Sequence, residues 1–173
     1  PGGTKSAEII RKIILKDYFE KNKKIKFDKY TDTLLYLAAR NEHVNNKILP
    51  ALQSKKLIIC DRFTDSTLAY QVYGKKVSIN FINTIHKRIL KKVKPDLIFI
   101  LKVKKHSFIN RLKKRRTRNR YDNFPVKFYL RAQNAFLKLS RNKRNYIVLD
   151  SSQNTKELEK TILNIVKKKL KIK

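Results

Sequence analysis

A chain of 173 residues with 44 Lys and Arg against 13 Asp and Glu carries a formal charge of +31. Its hydrophobic content of 41% excludes a disordered polyelectrolyte and fits one domain with a sizeable core. One cysteine excludes an internal disulfide, no Cys/His spacing suggests zinc, and no apolar run is long enough to span a membrane. The expectation is a soluble protein of the reducing cytoplasm.

The excess lysine is spread from end to end and accompanied by much Asn and Ile. AT-rich codons account for that mixture better than a dedicated polyanion stripe does, so nucleic acid is expected only as a non-specific partner. Self-repulsion at this charge predicts a salt-sensitive fold.

The chain opens Pro1-Gly2-Gly3-Thr4 and contains no methionine, which predicts that it is the C-terminal part of a longer protein. Apolar spacing at Ile9, Ile10, Ile13, Ile14 and Tyr18 predicts a helix from about Lys5 to Phe19. After a lysine-rich loop, Thr31 is the expected N-cap of a long helix carrying Leu34, Leu35, Leu37, Ala38, Val44 and Ile48. Tyr36 and Arg40, four apart, share one face of it.

Leu57-Ile58-Ile59-Cys60 reads as a buried strand leading into Asp61-Arg62-Phe63-Thr64-Asp65-Ser66-Thr67-Leu68-Ala69-Tyr70-Gln71. The crevice beyond a strand's carboxyl end is where an α/β fold places its chemistry. Arg62 offers a planar fork for a phosphate, and Asp61 a hard oxygen for a magnesium shell. Behind them, the hydroxyls with Tyr70 and Gln71 could read a nucleotide.

Further expected elements are a helix over Ile79–Leu90, a strand Leu97–Leu101, a basic helix to about Arg118, an aromatic-rich helix Val126–Leu139, a strand Tyr146–Leu149 and a helix Lys156–Leu170. Short apolar strands separated by helices predict an α/β fold with a parallel sheet covered on both faces. No repeat or internal boundary divides residues 1–173, which read as a single domain. His86 and His106, set among lysines, are expected at the surface.

Pro1-Gly2-Gly3-Thr4, Leu35-Tyr36-Leu37-Ala38-Ala39-Arg40, the Asp61–Gln71 segment, Lys94-Pro95-Asp96-Leu97, Asn119-Arg120-Tyr121-Asp122 and Leu149-Asp150-Ser151-Ser152-Gln153 together resemble thymidylate kinase of the bacterial type, in that family's order. The resemblance implies the P-loop fold of nucleoside monophosphate kinases, without its first βα unit and second strand. It implies transfer of a phosphoryl group from ATP to dTMP with Mg2+, in dTTP biosynthesis, and a homodimer as a partner. The family's Gly-x-x-x-x-Gly-Lys-Ser/Thr loop is absent from this sequence, so the 173 residues alone are expected to be inactive, and unpaired strand edges predict poor folding.

By the same resemblance, Tyr36 stacks on thymine and Arg40 hydrogen-bonds it. Arg62 holds the dTMP phosphate and Asp61 organises magnesium. Ser66, Thr67, Tyr70 and Gln71 line the base and sugar pocket, with Tyr70 against the sugar 2′ carbon. Gly2 and Gly3 bend the backbone close to substrate. The lid spans 105–124, its Arg115 and Arg120 closing over ATP, while Gln153 lies by the adenine. Bland alternatives stand beside these roles: Tyr36 as core, Arg40 facing solvent, Asp61–Arg62 as a buried ion pair, Ser66 as a helix cap. The alternative for the whole chain is a non-catalytic basic remnant that binds nucleic acid or nucleotides. Asn119 and Asp122 depart from the family's lid pattern, and Lys102 stands where the family commonly has aspartate.

Overall fold

The computed structural model describes residues 2–16, 27–114, 124–152 and 154–172. These fall into two compact units, Pro1–Pro95 with Arg116–Leu139, and Asp96–Arg115 with Ser140–Lys173.

The first unit is helical. Helix α1 (Lys5–Leu15) starts at Thr4, whose hydroxyl accepts the Ala7 N–H at 3.1 Å. The Glu8 carboxylate, in the first turn, reaches back to accept the Gly3 N–H at 3.1 Å, which holds its pKa below the ordinary value. Gly3 has φ +98°, a conformation that suits glycine, and faces the His43 imidazole.

Helix α2 (Lys29–His43) is capped by Asp28, which accepts the Tyr30 N–H at 2.7 Å; the expected cap at Thr31 lies inside the helix instead. Asp28 is the better acceptor because the +31 background and the helix dipole both favour an anion there. The helix passes into a π-helical segment, Val44–Ile48, and then α3 (Leu49–Gln53), so Pro50 sits within the helical run rather than ending it. Leu37, Val77 and Ile82 form a core cluster, with Leu68, Val72, Phe81, Ile85 and Ile89 packed on it.

Leu57–Cys60 is not a strand. Ile59 is 91% exposed and Leu57 65%. A strand needs a neighbour's ladder, and among the described residues only two strands pair, with each other. Helix α4 (Thr64–Thr67) runs directly into a second π-helical segment, Leu68–Gly74. The end of that segment is pinned to α2 by a Lys75–Asp32 ion pair at 2.5 Å and by Lys29 Nζ donating to the Lys76 carbonyl at 3.1 Å. Helix α5 (Ile79–Ile89) is capped by Ser78.

Helix α7 (Val126–Ser140) closes the unit, burying Phe128, Ala132 and Ala135. Gly74 lies so close to it that an added Cβ would stand 2.6 Å from the Phe128 ring.

In the second unit β1 (Ile98–Lys102) pairs in parallel with β2 (Tyr146–Asp150), Ile98 opposite Tyr146 and Lys102 opposite Asp150. A parallel pair joined through helices is the βα pattern expected from the apolar runs. Helices α6 (Lys105–Lys113) and α8 (Thr155–Leu170) complete it. Arg111 donates to the Ser151 carbonyl at 2.7 Å, fastening α6 to the turn after β2. Among the described residues, no helix is long and apolar enough to cross a membrane.

Candidate nucleotide site

Arg40 is the anchor of the site. Its face of α2 also carries Leu37, so burying that leucine carries the guanidinium inward, and Arg40 is only 3% exposed. One guanidinium nitrogen, Nη2, donates to the Phe63 carbonyl at 2.9 Å and to Thr67 Oγ1 at 3.2 Å. The guanidinium carbon stands 5.0 Å from the Phe63 ring centroid. Burial pushes its pKa down to about 10, against the opposing pull of Cys60 and Asp65. Even there the group is charged at neutral pH, and hydrogen bonds to a charged group each contribute about 1.5–3 kcal/mol. The solvent-facing alternative for Arg40 is excluded.

The loop from Cys60 to Phe63 presents a second arginine in the opposite way. Asp61 and Arg62 are exposed and form no ion pair with each other, so the buried-pair alternative is excluded as well. Arg62 adopts φ 66°, a left-handed conformation that costs a non-glycine residue about 1–2 kcal/mol and clusters at functional sites. Its guanidinium lies 5.4 Å over the Tyr70 ring. Tyr70 packs in turn on Phe128 and Phe136, at 5.9 and 6.1 Å between centroids. Positive charge therefore sits on a fixed aromatic platform, open to solvent.

Thr67 and Gln71 are buried at 2% and 3% exposure. Ser66 lies within α4, whose N-cap is Phe63, so it is not the cap. Tyr70 and Gln71 belong to the wide π-helical turn, a geometry frequent at functional sites. Tyr36, one turn before Arg40 on α2, is half-buried. Gly2 and Gly3 stand before α1, Gly3 against His43, three residues past Arg40. Arg115, Arg120 and Gln153 lie outside the described residues.

Several residues of this site escaped the sequence reading. Phe63 supplies a carbonyl and a ring to Arg40, although its position inside the Asp61–Gln71 motif was a signal. Asp65 Oδ2 is buried without a hydrogen-bond partner beside the arginine. His43 has its pKa lowered by burial and by Arg40. His86, expected at the surface, is 7% exposed. The stripe Ile82, Ile85, His86, Ile89 explains the correction, because it places His86 on the core face of α5.

The arrangement combines a buried arginine held over Phe63 with an exposed arginine over Tyr70. The thymidylate kinase family model matches residues 1–162. The chain belongs to the thymidylate kinase family. It is thereby a kinase, a nucleotide-binding transferase. It is 36% identical over 165 residues to a thymidylate kinase of Pelotomaculum thermopropionicum, covering 94% of this chain and 74% of that one. With the thymidylate kinase of Aster yellows witches'-broom phytoplasma it shares 38% over 175 residues, 99% of this chain and 80% of the relative. The solved structure of thymidylate kinase from Ehrlichia chaffeensis superposes with a TM-score of 0.71 at 25% identity, covering 96% of this chain and 78% of that one. The family assignment and the P-loop nucleoside monophosphate kinase fold expected from the motifs are thus both borne out.

Proposed function

We propose that this protein phosphorylates dTMP to dTDP with ATP and magnesium, and that the described residues form the dTMP side of the reaction. The observation that carries this reading is the pair of arginines: Arg40 buried and held by Thr67 and the Phe63 carbonyl, Arg62 exposed above Tyr70. Arg40 fits a donor to the thymine carbonyl edge, with Tyr36 stacking on the ring. Arg62 fits the dTMP phosphate, and Tyr70, braced by Phe128 and Phe136, fits the face of the sugar. Ser66, Thr67 and Gln71 close the pocket wall, and Gly2 and Gly3 leave room for substrate at its edge.

A dTMP phosphate oxygen attacks the γ-phosphorus of ATP. The bond to the β–γ bridging oxygen breaks and ADP leaves. Such a transfer depends on positioning and on neutralising charge, and little of it is covalent chemistry by the protein. Arg62 holds the attacking phosphate and offsets its charge. In the proposal the lid, residues 105–124, brings Arg115 and Arg120 to the transferring group, while Gln153 meets the adenine.

Magnesium takes its oxygens from one or two carboxylates together with the phosphates it bridges. Asp61, exposed beside Arg62, suits that role, and no group of three or more metal-ligating side chains occurs among the described residues. When bound, the ion would neutralise charge on the phosphate oxygens. The sequence holds no Gly-x-x-x-x-Gly-Lys-Ser/Thr loop, so these 173 residues alone are proposed to be inactive. The protein's partners are proposed to be dTMP, ATP and a second copy of itself, and its compartment the cytoplasm.

A coupled ADP-release assay tests the reading. Joined to an N-terminal segment that carries the Gly-x-x-x-x-Gly-Lys-Ser/Thr loop, the chain is expected to turn over dTMP well ahead of dCMP, and residues 1–173 alone are expected to show no turnover. Equal rates on dTMP and dCMP would remove the assignment of Arg40 and Tyr36 to the base.

A further inference from the structure

His86 is a buried imidazole that phosphoryl transfer does not use. It stands one turn beyond Ile82 on α5, just as Arg40 stands one turn beyond Leu37 on α2, and Leu37 and Ile82 belong to the same core cluster. Helices α2 and α5 pack on each other. Among the described residues, His86 Nε2 and Arg40 Nε are both buried without a hydrogen-bond partner. They are complementary, since Arg40 Nε can only donate and a neutral imidazole nitrogen can accept. A buried polar atom left unpaired costs about 1–3 kcal/mol, so two such atoms on facing helices are better explained together than separately.

We infer that His86 is a positioning residue for Arg40, its Nε2 accepting the Arg40 Nε–H directly after a small rotation or through one bridging water. The inference rests on the proposal that Arg40 meets the base. The Phe63 carbonyl and Thr67 hydroxyl both hold the same terminal nitrogen, Nη2. One pinned nitrogen leaves the guanidinium plane free to swing, and a second hold at Nε fixes that plane. The remaining terminal nitrogen is then aimed at one substrate acceptor. The electrostatics agree: burial and the Arg40 charge push the His86 pKa down to about 4, so the ring stays neutral and able to accept. Asp65, whose Oδ2 is also buried and without a hydrogen-bond partner, pulls on the same guanidinium without bonding it.

The test uses the protein with dTMP and inorganic phosphate as probes, comparing wild type, His86→Leu and His86→Gln. His86→Leu is expected to weaken dTMP binding about tenfold, the effect of losing one buried charged hydrogen bond. Phosphate binding should not change, and His86→Gln, which restores an acceptor, should return to within about threefold of wild type. In nucleotide-free protein the Arg40 Nε–H resonance should shift in the leucine variant and recover in the glutamine variant. A folded His86→Leu variant with unchanged dTMP affinity and an unmoved resonance would overturn the inference, as would a glutamine variant no better than leucine. Should the leucine variant not fold, the wild-type Nε2 nitrogen shift decides, because it distinguishes an accepting nitrogen from an unbonded one. A wild type that ignores dTMP while the Arg40 resonance still responds to His86 would overturn the dTMP reading and uphold the positioning.

Discussion

Two arginines of the candidate site live in opposite environments. Arg40 is 3% exposed, bound to a carbonyl and a hydroxyl, and has its pKa lowered by burial. Arg62 is exposed, held at φ 66° over an aromatic ring. A buried, fixed guanidinium reads the position of a neutral acceptor, because any misplaced partner leaves it unsatisfied. An exposed one, free of a protein carboxylate, is available to an arriving anion. In the proposed reading, selectivity and phosphate capture are carried by the same side chain in two settings, and substitutions should separate them.

The largest effect is expected at the exposed arginine. Arg62→Ala should lower kcat/KM for dTMP by about 10²–10³, as for other single donors aimed at reacting charge, with little change in melting temperature. Steady-state kinetics beside a thermal melt would show it. If Arg62→Ala instead unfolded the protein, its role would be structural.

The buried side answers to acid. His86 has a folded pKa of about 4 against an ordinary 6.5, so between those values the unfolded chain binds a proton that the folded one does not. Stability is therefore complete above pH 6.5 and falls as pH drops toward about 4, by up to ~3 kcal/mol. Urea melts from pH 7 to 4.5 would follow the loss, and His86→Gln should flatten it.

Gly74→Ala comes next. Its Cβ would meet the Phe128 ring at 2.6 Å, and overpacking of this kind costs about 1–3 kcal/mol. Because Phe128 braces Tyr70, the KM for dTMP should rise alongside the fall in melting temperature. The smallest effect is expected at Thr67→Val, which removes one hydroxyl acceptor from Arg40. It should cost ~1 kcal/mol in dTMP binding and leave kcat nearly unchanged.

How far these roles could be read from the chain follows from their physics. Helical stripes such as Ile79–Ile89 and Val126–Ser140 were legible because a periodic apolar face has one way to be buried. Tyr146–Asp150 and Ile98–Lys102 were legible as apolar runs that find each other. Leu57–Cys60 has the same composition but forms no strand and leaves Leu57 and Ile59 exposed, since a strand exists only with a partner, and no residue pattern names that partner. The π-helical turns at Val44–Ile48 and Leu68–Gly74 carry no composition signal, although the second presents Tyr70 and Gln71. Arg40 shared a legible face with Tyr36, yet its burial depended on Phe63 and Thr67 arriving from another element. His86 was hidden by the lysine and arginine that follow it.

The most direct test of the proposed dTMP site is nucleotide protection of the folded chain. The account predicts that dTMP raises the melting temperature of the protein, that dCMP does not, and that Arg62→Ala abolishes the protection. Equal protection by both nucleotides, or by any polyanion of matched charge, would contradict it and leave a basic surface without a thymine-reading site.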